Sequence, residues 1–143
     1  MQDIDGMRER VEAAGDLAGL LEAAWDGFGL LVAVCRECEE RAGGLFAAFA
    51  FASAAAAEGR LILASAPSLA AGYCGETEHG GSVTADLEDV ADGLAGLAGL
   101  LAARLAEAAL QASDPGDSDA CAQAGATAAQ VRELLARDEP WPQ

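Results

Sequence analysis

One hydrophobic phase runs through the first forty or so residues of the chain. Met7, Ala14, Leu21, Phe28, Cys35 and Ala42 recur at every seventh position, and Val11, Leu17, Ala24, Leu31 and Cys38 fill slots three or four residues further on. A recurrence of this kind is an a/d-like stripe, which a helix keeps on one face. It passes through Gly15, Gly19, Gly27 and Gly29 without a lasting shift. The phase predicts one long helix over roughly residues 4–42, about 58 Å if straight at 1.5 Å per residue. Each glycine costs a helix about 1 kcal/mol, so a kink is expected near Trp25-Asp26-Gly27, and Gly43-Gly44 ends the helix.

The rest of the chain reads as three more helices. A second is predicted over about 45–63, where Phe46, Phe49, Ala50, Ala56 and Leu63 share a face with Ser53. That segment is apolar nearly all round, which suits the middle of a bundle or a subunit interface. Residues 65–83 read as a Gly-rich loop that contains Tyr73, Cys74 and His79, the chain's single tyrosine and single histidine among them. A loop of that length within a compact domain often carries function.

The third helix is expected over about 84–112, capped by Thr84 and started by Asp86 and Glu88, which suit the positive end of its dipole. Leu87, Val90, Leu94, Leu97, Leu101, Leu105 and Ala108 form its stripe, and Gly93, Gly96 and Gly99 offer another helix a close approach. Ser113-Asp114-Pro115-Gly116 is a turn. Ser118 is the expected cap of a last helix to about 138, with Cys121, Ala124, Ala128, Val131 and Leu135 inside. Pro140 and Pro142 leave 140–143 as a tail. The architecture these elements predict is all-α, a four-helix bundle in a single helical domain over 1–139.

Composition agrees with that architecture. At 143 residues a chain buries roughly two-thirds of its unfolded surface, enough for a core without disulfides or metal. Alanine makes up about a quarter of the residues and aromatics 5%, which favours helix over sheet. The net charge is −16, and all eight basic residues are arginines. Without a cluster of cations the chain is not expected to bind nucleic acid. The acidity reads as a solubility coat, or more sharply as a surface for a basic protein partner.

No secretion leader is expected, because Asp3, Asp5, Glu9 and Glu12 occupy the start and no apolar core follows a basic segment. Gly44–Ala57 is too short to span a bilayer, and Leu94–Leu110 contains Arg104 and Glu107, where about 20 nearly uncharged residues are needed. A cytoplasmic protein without a membrane partner is the expectation.

Among chemical groups, the cysteines and the histidine form the most specific pattern. Cys35 and Cys38 make a C-x2-C pair, and Cys74 and His79 are spaced C-x4-H in the loop, so the four could supply a Cys3His zinc site. Against this, Cys35 and Cys38 lie on the apolar stripe, where free cysteine acts as a small hydrophobe, so core thiols and no cofactor are expected. A thioredoxin-like pair lacks its βαβ context. A di-iron bundle needs two Glu-x-x-His helices, which one histidine cannot furnish. No nucleophile elbow or phosphate-binding loop is present, and a non-enzymatic protein is expected.

Trp25-Asp26-Gly27 is similar, over three residues, to the Trp-x-Gly turn of small acidic helical-hairpin secretion substrates. It stands inside an unbroken apolar phase here, so Trp25 reads as a rim or interface aromatic. Arg60 and Arg104 lie in apolar helical surroundings, from which arginine usually snorkels outward and less often holds an acid or an anionic ligand.

The leading functional expectation is a non-catalytic protein-interaction or oligomerisation module, a homodimer, because apolar helix surface along 45–63 and 94–101 exceeds what four small helices need to bury. A small-molecule-binding or sensing bundle is the alternative, with Trp25, Phe28, Phe46, Phe49, Phe51 and Tyr73 as candidate pocket or interface residues, and zinc binding is the third.

Overall fold

The structure, a computed structural model, describes residues 2–42, 47–69, 73 and 86–136. Of these residues 88% are helical and none lies in a strand, so the fold is all-α. Among the described residues there are five helices rather than the expected four: α1 (Gln2–Ala13), α2 (Leu17–Ala42), α3 (Ala47–Ala64), α4 (Leu87–Gln111) and α5 (Pro115–Leu135).

The fifth helix arises because the expected 4–42 helix divides, and it divides at Ala14-Gly15-Asp16 rather than at Trp25-Asp26-Gly27. Asp16 is the reason. Its carbonyl accepts from Leu20 N at 3.0 Å and its Oδ1 accepts from Gly19 N at 2.7 Å. That is an N-cap, worth about 1 kcal/mol, and it starts a new helix although the hydrophobic phase does not change. Gly27, by contrast, sits within α2. A Cβ there would lie 3.3 Å from a methyl of Leu101, so this glycine serves the approach of α4 and not a bend.

The other boundaries also shift for local reasons. α4 starts after Asp86, whose side chain makes no cap hydrogen bond; Thr84, the expected cap, lies outside the described residues. α5 starts three residues before the expected Ser118. Asp114 caps it, accepting from Gly116 N at 2.7 Å and Asp117 N at 3.3 Å, and Pro115 occupies the first turn, where its missing N–H costs nothing. Ser118 instead donates from Oγ to Ala109 O at 2.7 Å. The 65–83 loop is described only at 65–69 and Tyr73, and Ser68 there is fixed to Asp117 of α5.

Packing follows from these elements. α2 lies beside α1, α3 and α4, while α5 lies between α3 and α4, and α1 covers α2 and α4. α4 and α5 run antiparallel: Gly125 of α5 approaches the backbone of Ala102 and Ala106, whereas Gly99 of α4 lies under Arg132. α2, α3, α5 and α4 are thus neighbours in a ring, and α3, the segment expected in the middle of a bundle or at a subunit interface, keeps Phe51 and Leu61 exposed. Leu21, Phe28, Leu31, Phe49, Leu63, Leu94, Leu101 and Leu105 are fully buried in one cluster. Each contributes about 1.5–3 kcal/mol by leaving water.

By length and composition alone, Leu17–Arg41, Ala47–Ala64 and Leu87–Gln111 are apolar enough to cross a membrane. Once helical, these segments are longer than the apolar runs the sequence suggested.

Candidate functional site

Three features concentrate polar chemistry or exposed apolar surface, and α2 and α3 carry most of it. The first is a buried carboxylate. Asp26 stands on the side of α2 opposite Phe28 and would face solvent in a helix buried on one stripe. It is instead 1% exposed, because α1 folds back over it. Asp26 Oδ2 accepts from Arg10 Nη1 of α1 and from Tyr73 Oη at 2.7 Å, and Arg10 Nη2 donates to Tyr73 Oη at 3.2 Å. Asp26 Oδ1 has no partner.

Loss of water pushes the Tyr73 phenol above its ordinary pKa; the Arg10 hydrogen bond opposes this and Asp26 reinforces it. Burial alone would lower the Arg10 pKa, but the hydrogen bonds to Tyr73 and Asp26 carry it above its ordinary value. The triad ties the connection after α3 to the α1–α2 pair. Its signal in the sequence was an aspartate beside a tryptophan within an apolar run.

The second feature is a cavity of about 810 Å³ where the α1–α2 joint meets the α4–α5 turn. Glu12, Asp16, Glu107, Asp114 and Asp117 face it, with Arg104 as its cation. Arg104 donates to Ala14 O and lies 4.0 Å from Glu107. Asp117 is 2% exposed and is held by Ser68, accepting from its N at 2.8 Å and its Oγ at 2.5 Å. None of the aromatic candidates lines this space.

The third feature is the outer face of α3. Ala47, Phe51, Ala54, Glu58, Leu61 and Ser65 are all exposed, and their spacing of four, three, four, three and four residues is that of a coiled-coil seam. Phe51 is 62% and Leu61 72% exposed.

The candidate residues therefore separate. Phe28 and Phe49 are fully buried in the core, with the Phe28 ring against Gly59. Trp25 is half-buried under the guanidinium of Arg60, whose Cζ lies 4.4 Å from the ring centroid. Phe51 points to solvent, Tyr73 joins Asp26, and Phe46 lies outside the described residues. Cys35 and Cys38 are both fully buried, while Cys74 and His79 lie outside the described residues.

Burial, with the neighbouring Cys38 and Glu39, pushes the Cys35 thiol up to about 12. Burial pushes Cys38 up to about 11, with Arg41 opposing and Glu37 reinforcing. A zinc ligand must be a thiolate, so these two thiols are held in the form a metal would have to displace. Cys121 of α5 is also raised, by burial first and Asp117 second. Among the described residues no three His, Cys, Asp or Glu side chains are grouped to hold a metal.

No protein-family model matches the chain, and no curated protein and no solved structure is significantly similar to it.

Proposed function

We propose that the chain is a non-catalytic self-association module whose α3 helices pair, antiparallel, along the seam Ala47–Phe51–Ala54–Glu58–Leu61–Ser65. The observation that carries this reading is the exposure of Phe51 and Leu61 at seam positions of one helix. Large exposed apolar residues in a row mark an association surface more often than single ones do.

The occupant is a second copy for two reasons. First, α3 carries one acid, Glu58, and one base, Arg60, whereas each of the other helices has a net negative charge. In a chain of net charge −16, α3 is where two copies repel least. Second, the seam is self-complementary when read in opposite directions. A two-fold axis beside Ala56 sets Phe51 against Leu61 of the other copy and Ala54 against its Glu58. A parallel pair would set Glu58 against Glu58, a like-charge contact, whereas opposed helix dipoles favour the antiparallel one. The alanines admit close approach, and Phe51 and Leu61 act as the knobs.

Light scattering on the purified protein tests this. A dimer is expected, and Leu61→Glu is expected to give a folded monomer. A wild-type monomer, or protein recovered bound to phosphatidylcholine vesicles without self-association, would overturn the reading.

A second reading, a small-molecule-binding bundle, is favoured only by the cavity of about 810 Å³. Its carboxylates outnumber its one arginine, so its ligand would be cationic. A thermal shift with spermidine that Glu107→Gln removes would support it; no shift would remove it.

A further inference from the structure

We propose a second and separate site, in which Arg60, held on Trp25 and Gly29, binds a carboxylate. Two arginines among the described residues are half-buried, Arg60 and Arg104. Arg104 has the carbonyl of Ala14 and the carboxylate of Glu107 near it. Among the described residues Arg60 has no hydrogen-bond acceptor: its Nε–H is buried without a partner, and unlike Nε neither Nη group is among the buried groups left unpaired. The terminal edge of the guanidinium is therefore the edge that reaches water. A half-buried cation without an anion is costly, and although acids outnumber bases threefold in this chain, 24 to 8, none of the described acids pairs with Arg60.

The cation is nevertheless held in a defined pose. Trp25 and Gly29 are one turn apart on α2, and Arg60 comes across from α3. Its Cζ lies 4.4 Å from the indole centroid. A Cβ on Gly29 would meet Cζ and Nη2 at 3.1 Å and Nη1 at 3.4 Å. These near-equal distances mean that the guanidinium lies flat in the recess the glycine leaves. Glycine in mid-helix is disfavoured, and here its absent side chain makes room for a cation. The indole Nε1–H of Trp25 is likewise buried without an acceptor.

A guanidinium fixed by one face presents its two Nη groups as a planar fork. That fork matches the two oxygens of a carboxylate, with two parallel charge-assisted hydrogen bonds. The surrounding negative charge of the chain screens out polyanions, which favours a monoanion. The ligand class is thus a small monocarboxylate. The site lies on the α2 side of α3 and does not depend on the α3 seam, so each can fail without the other.

The test uses the full chain with Trp141→Phe, which leaves Trp25 as its only tryptophan. Emission is followed while sodium acetate replaces sodium chloride at constant ionic strength, with sodium phosphate as a parallel arm. A saturable change with acetate is expected. Arg60→Gln should abolish it, and Arg60→Lys, which keeps the charge but loses the fork, should weaken it at least tenfold. Gly29→Ala, which fills the recess, should weaken it too. Circular dichroism confirms that each variant is folded, and Arg60→Lys remains the deciding variant where Arg60→Gln is not. No saturable change with acetate, or an unchanged response in Arg60→Lys, would overturn the site. Phosphate binding as tightly as acetate would overturn the carboxylate assignment.

Discussion

Gly59→Ala and Gly6→Ala are the same chemical change in two helices, and the structure predicts opposite signs for them. A Cβ on Gly59 would stand 2.6, 2.8 and 3.0 Å from Cε1, Cζ and Cδ1 of Phe28. Carbon atoms are at rest at about 3.5–4.0 Å, so ring or helix must retreat by about 1 Å. Phe28 is fully buried, so its ring cannot swing out into solvent. Overpacking of a tight core costs about 1–3 kcal/mol, and a clash with a closed-in ring belongs in the upper half of that range. The gain in helix propensity offsets about 1 kcal/mol.

The net result is a destabilisation of about 1–2 kcal/mol. Gly6 has nothing within 4 Å of the added atom, so there the propensity gain of about 0.5–1 kcal/mol stands alone. Urea unfolding should move the midpoint down for Gly59→Ala and up for Gly6→Ala, with equal slopes. If Gly59→Ala is as stabilising as Gly6→Ala, α3 does not pack on Phe28 as described.

Other expectations concern the polar interior. Cys35 and Cys38 have raised pKa values in the folded chain, so their contribution is intact below the unfolded thiol value of about 9 and is lost as pH rises toward about 11 and 12. At pH 10 each contributes about 1.4 kcal/mol of that loss; alkaline urea titrations should lose this slope in Cys35→Ala/Cys38→Ala. In a Cys74→Ser background the native protein should react with a thiol reagent only on the timescale of unfolding. Tyr73→Phe removes one hydrogen bond to Asp26 and should cost about 1 kcal/mol. Asp26→Ala should cost more, about 2 kcal/mol, though less than a fully buried ion pair, since the Arg10 side chain is 41% exposed and can return to water. Asp114→Ala should cost about 1 kcal/mol by removing the α5 cap; equal stability to wild type in thermal melts would refute the capping geometry.

Helix content and the inner faces of α2, α4 and α5 were legible because periodicity alone fixes them. Leu87 apart, which is half-buried, the residues of the α4 stripe from Val90 to Ala108 are all buried, and Ala91, Ala95 and Ala98 beside them are buried too. The division of the first helix was not legible from periodicity, because α1 and α2 share one phase and the break is a side-chain hydrogen bond at Asp16. The same break explains why Asp26 was missed. In a continuous helix its side faces water, and only the return of α1 brings Arg10 across it. The start of α5 was misread because Ser118 and Asp114 are both acceptable caps, and Pro115 decides for the earlier one. Gly96 and Gly99 were expected to admit a helix. They admit arginines, Arg8 and Arg132, as Gly29 admits Arg60. Glycine in a helix signals a close neighbour but not which kind.

The pairing of α3 is the central claim, and disulfide cross-linking between variants that each add one exposed cysteine, with Cys35, Cys38 and Cys121 left buried, tests it most directly. Phe51→Cys and Leu61→Cys, each in a Cys74→Ser background, are oxidised separately and as a mixture. An antiparallel pair centred on Ala56 brings position 51 of one copy to position 61 of the other, while like positions are about 15 Å apart along the axis at 1.5 Å per residue. The mixture should therefore yield a mixed disulfide that neither variant forms with itself. Self-cross-linking of each variant at equal or greater yield, or no cross-link in the mixture, would contradict the account.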